Sequence, residues 1–335
     1  MSDTGLRIGV VGATGAVGVE VLELLSESSL EIGELVPVAS ESSIGKDIDF
    51  KGALYPVLSE LPHLAGLDLL FVCAPAEVSL EYARQALHAE VPCVDVSGAL
   101  AASREVPLRV AAFGPPADPQ ATPLLVSPPG AALALALALR PLEEVTPVTR
   151  VTGTLLEAAS WRGRRGIEAL FEESRAIFNQ EDLPVPDVFG RPVAFDCIPA
   201  LGEVDETTGV SERESAVADA LSRLLSGEPG IGLSVLQIPV LVGLAASLVV
   251  ETERSLDPAL VEGLLGKAPG VERWEDAPDG ATMRAAAGFQ EVLVARVRRD
   301  PSAENALQLW LAADPLRLAA ANAVRLAVTR LGRHH

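Results

Sequence analysis

The sequence is short of thiols, imidazoles and positive charge. Its three cysteines, Cys73, Cys93 and Cys197, stand far apart, which excludes a disulfide framework and a CxxC metal site. The four histidines are His63, His88 and the terminal pair His334 and His335, so no metal site is expected. Against 46 acidic residues there are 26 basic ones, and the net charge of −20 argues against a nucleic acid or an anionic membrane surface as partner. A long unbroken apolar helix is also missing. The uncharged stretch 233–250 is interrupted by Gln237, Pro239, Gly243 and Ser247 and is rich in β-branched residues, so it reads as two buried strands. The opening MSDTG lacks the basic and apolar regions of a signal peptide, and a cytoplasmic location is expected. What remains is a chain of 335 residues, 49% hydrophobic, long enough for a large core and two domains.

Residues 6–26, LRIGVVGATGAVGVEVLELLS, carry the strongest local signal. An apolar strand ends in Gly12, Gly15 and Gly18, and helical spacing takes over from Val17. Such a turn lets the backbone approach a diphosphate, whose charge is met by N–H groups at the helix start. The cradle would be Gly12, Thr14, Gly15, Ala16, Val17 and Gly18; the other reading is that these glycines only bring a helix close to a sheet. A second strand, 34–39, leads into Ser40 and Glu41. Glu41 would accept from an adenosine ribose 2′-hydroxyl and repel a 2′-phosphate, so the expected cofactor, NAD or NADP, is more readily NAD. Further apolar strands at 67–74, 92–97, 109–113 and 123–126, with a helix at 79–89, indicate a parallel sheet covered on both faces. The pattern then changes. An apolar helix at 131–142 precedes a β-rich stretch from Val148, a charged helix at 166–178, a Pro-rich loop, strands at 291–298 and 306–312, and a helix at 316–331. The fold class is α/β, with a Rossmann-type domain first and a second domain starting near residue 130. Any ligand belongs at the C-terminal ends of the first domain's strands, facing the second.

Seven segments in register, GATGAVG (12–18), ASESSIGK (39–46), VDVSGAL (94–100), ALRPL (138–142), EAASWRG (157–163), FGRPVAFDCIPALG (189–202) and ENALQLWLAADPLRLAAANAV (304–324), resemble aspartate-semialdehyde dehydrogenase. The resemblance implies a Rossmann-type domain over 1–129, completed by the C-terminal helix 314–335. It also implies a central α+β domain over 130–313 that carries catalysis and the interface of a homodimer. The implied reaction is NADP-linked reductive dephosphorylation of aspartyl phosphate through a thiohemiacetal and thioester on cysteine.

Position by position, the family's chemistry is not there. The resemblance places Gly130 at the nucleophilic cysteine, Glu157 at the active-site glutamine, Gln237 at the substrate-carboxylate arginine and Leu244 at the catalytic histidine. Ala101 falls at a phosphate-holding arginine, Arg213 and Ala216 at an acid and a lysine, and Ser42 at the arginine for a 2′-phosphate. Pro315 and Leu318 replace an asparagine and a lysine. Without thiol, imidazole or anion clamps the family reaction is not expected. All three cysteines read as buried sheet residues. Two readings stay open. One is a dimeric scaffold that binds a metabolite or partner; the other is a non-covalent, NAD(P)-dependent hydride transfer on an aldehyde-type or other substrate, with Glu157 as acid or base. Arg162, Arg164 and Arg165, in WRGRRG, are either a new site for a small carboxylate or phosphate or a solvated turn.

Overall fold

The computed structural model describes residues 5–61, 63–114 and 123–332; His334 and His335 lie outside them. The chain falls into two compact units, residues 1–129 with 319–335, and residues 130–318.

Unit 1 is built on five parallel strands: β1 (Leu6–Val11), β2 (Ile32–Val38), β5 (Leu69–Val72), β6 (Cys93–Asp95) and β7 (Leu124–Val126), in the order β2-β1-β5-β6-β7. A separate hairpin of β3 (Asp47–Phe50) and β4 (Ala53–Pro56) was not signalled by the sequence pattern. Helices α1 (Ala16–Glu27) and α2 (Ala76–His88) supply the crossovers. Successive strand residues face opposite sides, so an all-apolar strand feeds two cores. Ile8, Val10, Leu69 and Phe71 pack with Val21, Leu25, Ala320 and Ala323 on one side. Val11, Leu70 and Val72 pack with Ala83 and Ala86 on the other. The strand expected at 109–113 is not formed. Only Leu108 bridges to Val126, and Ala111–Phe113 is a 3-10 turn. The reason is distant in sequence: buried Asn322 donates to Arg109 O and Ser127 Oγ, at 2.9 Å each, and accepts from Ala111 N at 2.8 Å. Those bonds hold the segment in a turn.

Unit 2 opens with α3 (Gly130–Glu143), whose Ala131–Leu139 stretch is buried on every side. A helix apolar all round needs no amphipathic period, which is why alternating Ala and Leu still make a helix here. It packs on α5 (Glu212–Leu224), α6 (Pro258–Leu265) and a six-stranded sheet. That sheet comprises β8 (Val148–Glu157), β9 (Gly230–Gln237), β10 (Leu244–Thr252), β11 (Val271–Arg273), β12 (Val292–Arg299) and β13 (Ala306–Ala313), in the order β11-β12-β13-β10-β8-β9. The apolar stretch 233–250 therefore divides into two strands, β9 and β10. Among the described residues no helix is long and apolar enough to cross a membrane. The amphipathic α4 (Gly163–Asn179) and the short α7 (Met283–Ala286) complete the unit, and α8 (Pro315–Leu331) begins in it.

Candidate functional site

In unit 1 the glycine turn has the shape that a diphosphate requires. Gly12 sits at φ +85°, where a Cβ would lie 2.7 Å from the Cys73 backbone, and a Cβ on Gly18 would lie 2.1 Å from Gly12 O. Neither position accepts a side chain. Gly12 and Ala13 donate to Val38 O at 2.8 and 3.0 Å, which ties the turn to the end of β2. Gly15 caps α1 with no side-chain hydrogen bond, so the N–H groups at Ala16, Val17 and Gly18 present the helix's positive end. Thr14 Oγ1 and Ser43 Oγ are 3.0 Å apart, joining this turn to the 3-10 turn Glu41–Ser43. Ser40, Glu41 and Ser42 are exposed beside it. These residues fit the diphosphate and ribose of a dinucleotide.

In unit 2 strand register gathers three of the positions singled out above. Glu157, the last residue of β8, lies opposite Gln237 at the end of β9 and opposite Leu244 at the start of β10. One row across the sheet thus carries all three, each buried. Glu157 is 3% exposed and is gripped by Arg213 from the first turn of α5. Nε donates to Oε2 at 2.9 Å and Nη2 donates to Oε1 at 2.6 Å. Burial works against the Arg213 charge, but attraction to Glu157 and the hydrogen bonds to it outweigh burial and raise the guanidinium pKa. The pair is a bidentate, charge-assisted contact. Gln237 Oε1 accepts from Trp161 Nε1 at 2.6 Å, while its Nε2 is buried without a partner. Trp161 stands in the turn Ala159–Arg162, which is bonded to the β9–β10 connection through Val240 O and Leu241 O.

Gly130 opens α3, and no side chain fits there. A Cβ would meet Pro315 O at 2.5 Å and Pro315 Cβ at 2.8 Å. Pro315 itself is well placed at the start of α8, where Asp314 Oδ1 accepts from Leu316 N and Arg317 N.

Residues 7–117 match the family model described as semialdehyde dehydrogenase, NAD binding domain, and residues 139–318 match semialdehyde dehydrogenase, dimerisation domain. Aspartate-semialdehyde dehydrogenase of Rickettsia bellii is 31% identical over 96% of both chains. The chain belongs to the aspartate-semialdehyde dehydrogenase family. A USG-1 protein homolog of Azotobacter vinelandii is 33% identical, again over 96% of both. In three dimensions, aspartate semialdehyde dehydrogenase II of Vibrio cholerae, solved complexed with ASA, superposes with a TM-score of 0.90 at 28% identity. That match covers 99% of this chain and 100% of the other. The Rossmann-type first domain and the α+β second domain are those of the aspartate-semialdehyde dehydrogenase architecture.

Within this member of the aspartate-semialdehyde dehydrogenase family, the described cysteines and histidines lie as follows. Cys93 is buried in β6 and Cys73 follows β5; burial, and after it the Asp95 charge, pushes both thiols well above the ordinary range. Two cysteines depart from expectation: Cys73 is half-buried just past the end of β5, and Cys197 is exposed in a loop after Asp196 instead of lying in a sheet. His63 is exposed, and His88 ends α2 with Nδ1 2.9 Å from Arg84 O. No group of three His, Cys, Asp or Glu side chains is placed to hold a metal among the described residues. Ala101 is buried in unit 1, and Leu318 is buried in α8. Of the basic cluster, Arg164 pairs with Glu168 and Arg165 with Asp187, while Arg162 lies over the Trp161 ring at 4.1 Å. The Glu157–Arg213 partnership was not foreseen. Its signal was present as two complementary changes, one gaining an acid and the other a base, 56 residues apart.

Proposed function

We propose that the chain is a catalytically degenerate member of its family, a homodimer that binds a dinucleotide, NAD in preference to NADP, and does not run the semialdehyde dehydrogenase reaction. The observation that carries this reading is the bidentate Glu157–Arg213 ion pair. A carboxylate held by both oxygens against a guanidinium is a poor proton carrier, so the alternative of hydride transfer with Glu157 as acid or base loses its base. The steric closure of Gly130 and the apolar side chain at Leu244 support the same reading, since thiohemiacetal chemistry needs a thiol and an imidazole. A nicotinamide dinucleotide, when bound, supplies or takes up hydride. Gly12, Gly15, Ala16, Val17 and Gly18 would hold its diphosphate by backbone N–H groups, Thr14 would line the turn, and Ser40 and Glu41 would meet the ribose.

Homodimer formation is supported by an apolar surface on unit 2. Phe178, 76% exposed, and Phe195 stack edge to face with centroids 5.5 Å apart, and Phe171, Leu183 and Val185 are also exposed. Phe195 holds φ +61°, a strained backbone for an aromatic residue. Calorimetric titration with NAD, NADH, NADP and NADPH, run beside an assay with aspartate semialdehyde and phosphate, tests the proposal. Saturable binding that favours NAD or NADH, without turnover, is expected. Turnover within tenfold of roughly 10 per second, or no binding by any of the four, would overturn it.

A further inference from the structure

We infer that unit 2 carries a second ligand site, for an aromatic monocarboxylate, formed around Trp161, Arg162, Phe189, Arg191 and Gln237. These residues line a cavity of about 450 Å³, room enough for a small organic molecule. The inference is independent of the dinucleotide cradle, which belongs to unit 1. The cavity adjoins the Glu157–Arg213 pair, neither member of which lines it: Gln237 lies opposite Glu157 across the strands, and the Arg213 guanidinium is 5.6 Å from the Trp161 ring centroid.

One wall is aromatic. The Trp161 and Phe189 rings lie 6.5 Å apart and are tilted by 46°, a faceted surface on which a planar ring can stack. Trp161 is held in place by the 2.6 Å hydrogen bond it donates to Gln237 Oε1. Because the indole N–H can only donate, that bond decides which end of the amide is oxygen. Gln237 Nε2 is therefore a buried donor with no acceptor, in a residue fully hidden from solvent at the end of β9. Buried amide N–H groups are ordinarily partnered, and an acceptor brought by a ligand would complete this one.

The charge pattern sets the class of anion. The Arg162 guanidinium lies over the Trp161 ring, 4.1 Å from its centroid, and neither it nor Arg191 makes an ion pair among the described residues. Two guanidiniums without carboxylates are unusual in a chain of net charge −20. A guanidinium stacked on an indole keeps its edge N–H groups available to a carboxylate. Glu203 and Glu212 border the same cavity. They balance the two guanidiniums, so the lining has no net charge to hold a dianion such as phosphate or a dicarboxylate, and a single carboxylate is held by direct contact with the guanidinium edges. A planar apolar body with one carboxylate satisfies the aromatic wall, the guanidiniums and the orphaned N–H together.

Calorimetric titration of the full chain, without dinucleotide, tests this. Benzoate and indole-3-acetate are the probes; aspartate and inorganic phosphate are the counter-probes. Saturable binding of an aromatic carboxylate is expected. Arg162→Gln and Arg191→Gln should each weaken it by about tenfold, as expected for loss of a charged hydrogen-bond donor. Gln237→Glu, which keeps the acceptor for Trp161 but replaces the donor by an anion, should abolish it. Arg296→Gln, a change outside the cavity, should leave the affinity unchanged, and thermal melts should show all four variants folded. Preference for aspartate or phosphate, binding that survives Arg162→Gln with Arg191→Gln, or no saturable binding of either aromatic probe would each overturn the inference.

Discussion

Replacing Arg213 with methionine removes the guanidinium and keeps most of the side-chain volume. Glu157 would then stay 3% exposed in the sheet with both oxygens stripped of their donors. Breaking a buried pair from one side costs about 3–5 kcal/mol, because the remaining charge is uncompensated. Arg213 has a side chain 21% exposed, so water relieves part of this and the lower end of the range applies. At about 2–4 °C per kcal/mol for a unit of this size, the melting temperature of Arg213→Met should fall by roughly 6–12 °C in a calorimetric scan. Changing both partners, Glu157→Leu with Arg213→Met, removes the charge as well as its partner and should recover most of that loss. If the single variant melts within about 1 °C of the parent, or the double variant recovers nothing, Glu157 is not tied up by Arg213. The case against Glu157 as an acid or base would then collapse.

Gly130→Cys should fail to restore turnover, and should lower stability by at least about 1–3 kcal/mol, since any side chain there meets the Pro315 backbone; a thermal melt and a coupled dehydrogenase assay read both. Gly18→Ala, whose Cβ would lie 2.1 Å from Gly12 O, should abolish NADH binding in a fluorescence titration while unit 2 retains its melting transition. Phe178→Asp with Phe195→Asp should convert a dimer to a monomer in sedimentation velocity. Acid should act through Asp205 and Asp300, whose carboxyls are held below the ordinary 3.8, the first by the Thr208 backbone and side chain, the second by Ser302 and Gln308. Their contribution is present above that ordinary value and is lost as pH falls through the lowered ones, so Asp205→Asn with Asp300→Asn should flatten the acid limb of a stability–pH profile.

Legibility varied with the range of the interaction that decides each element. The β1–turn–α1 unit is local, and Gly12, Gly15 and Gly18 announce it because no other residue fits those contacts. Pro239 and Gly243 likewise punctuate the run that became β9 and β10. By contrast, residues 109–113 look like a strand until Asn322, more than 200 positions later, takes their backbone groups. The cysteine at 197 looks like a sheet residue because its neighbours are apolar, yet the preceding Asp196 accepts from its backbone N–H and turns the chain outward. In the candidate site, single positions could be read one at a time. What could not be read was that Gln237, Glu157 and Leu244 share a row, or that Arg213 reaches that row from another element. Register and helix placement decide those meetings, and neither is written in any short window.

The last turns of α8 have a consequence for how this protein is made. Ala320, Ala323 and Ala327 are buried against one face of the unit 1 sheet, among Ile8, Leu69 and Phe71. On the ribosome residues 6–126 precede unit 2, but that face has only α1 to cover it until every residue of unit 2 has been synthesised. Unit 2 is contiguous and can close its core as soon as Leu318 is out. A nascent chain thus carries an apolar sheet face only partly shielded while unit 2 is being translated. The sheet that bears the glycine cradle is begun before unit 2 and finished after it.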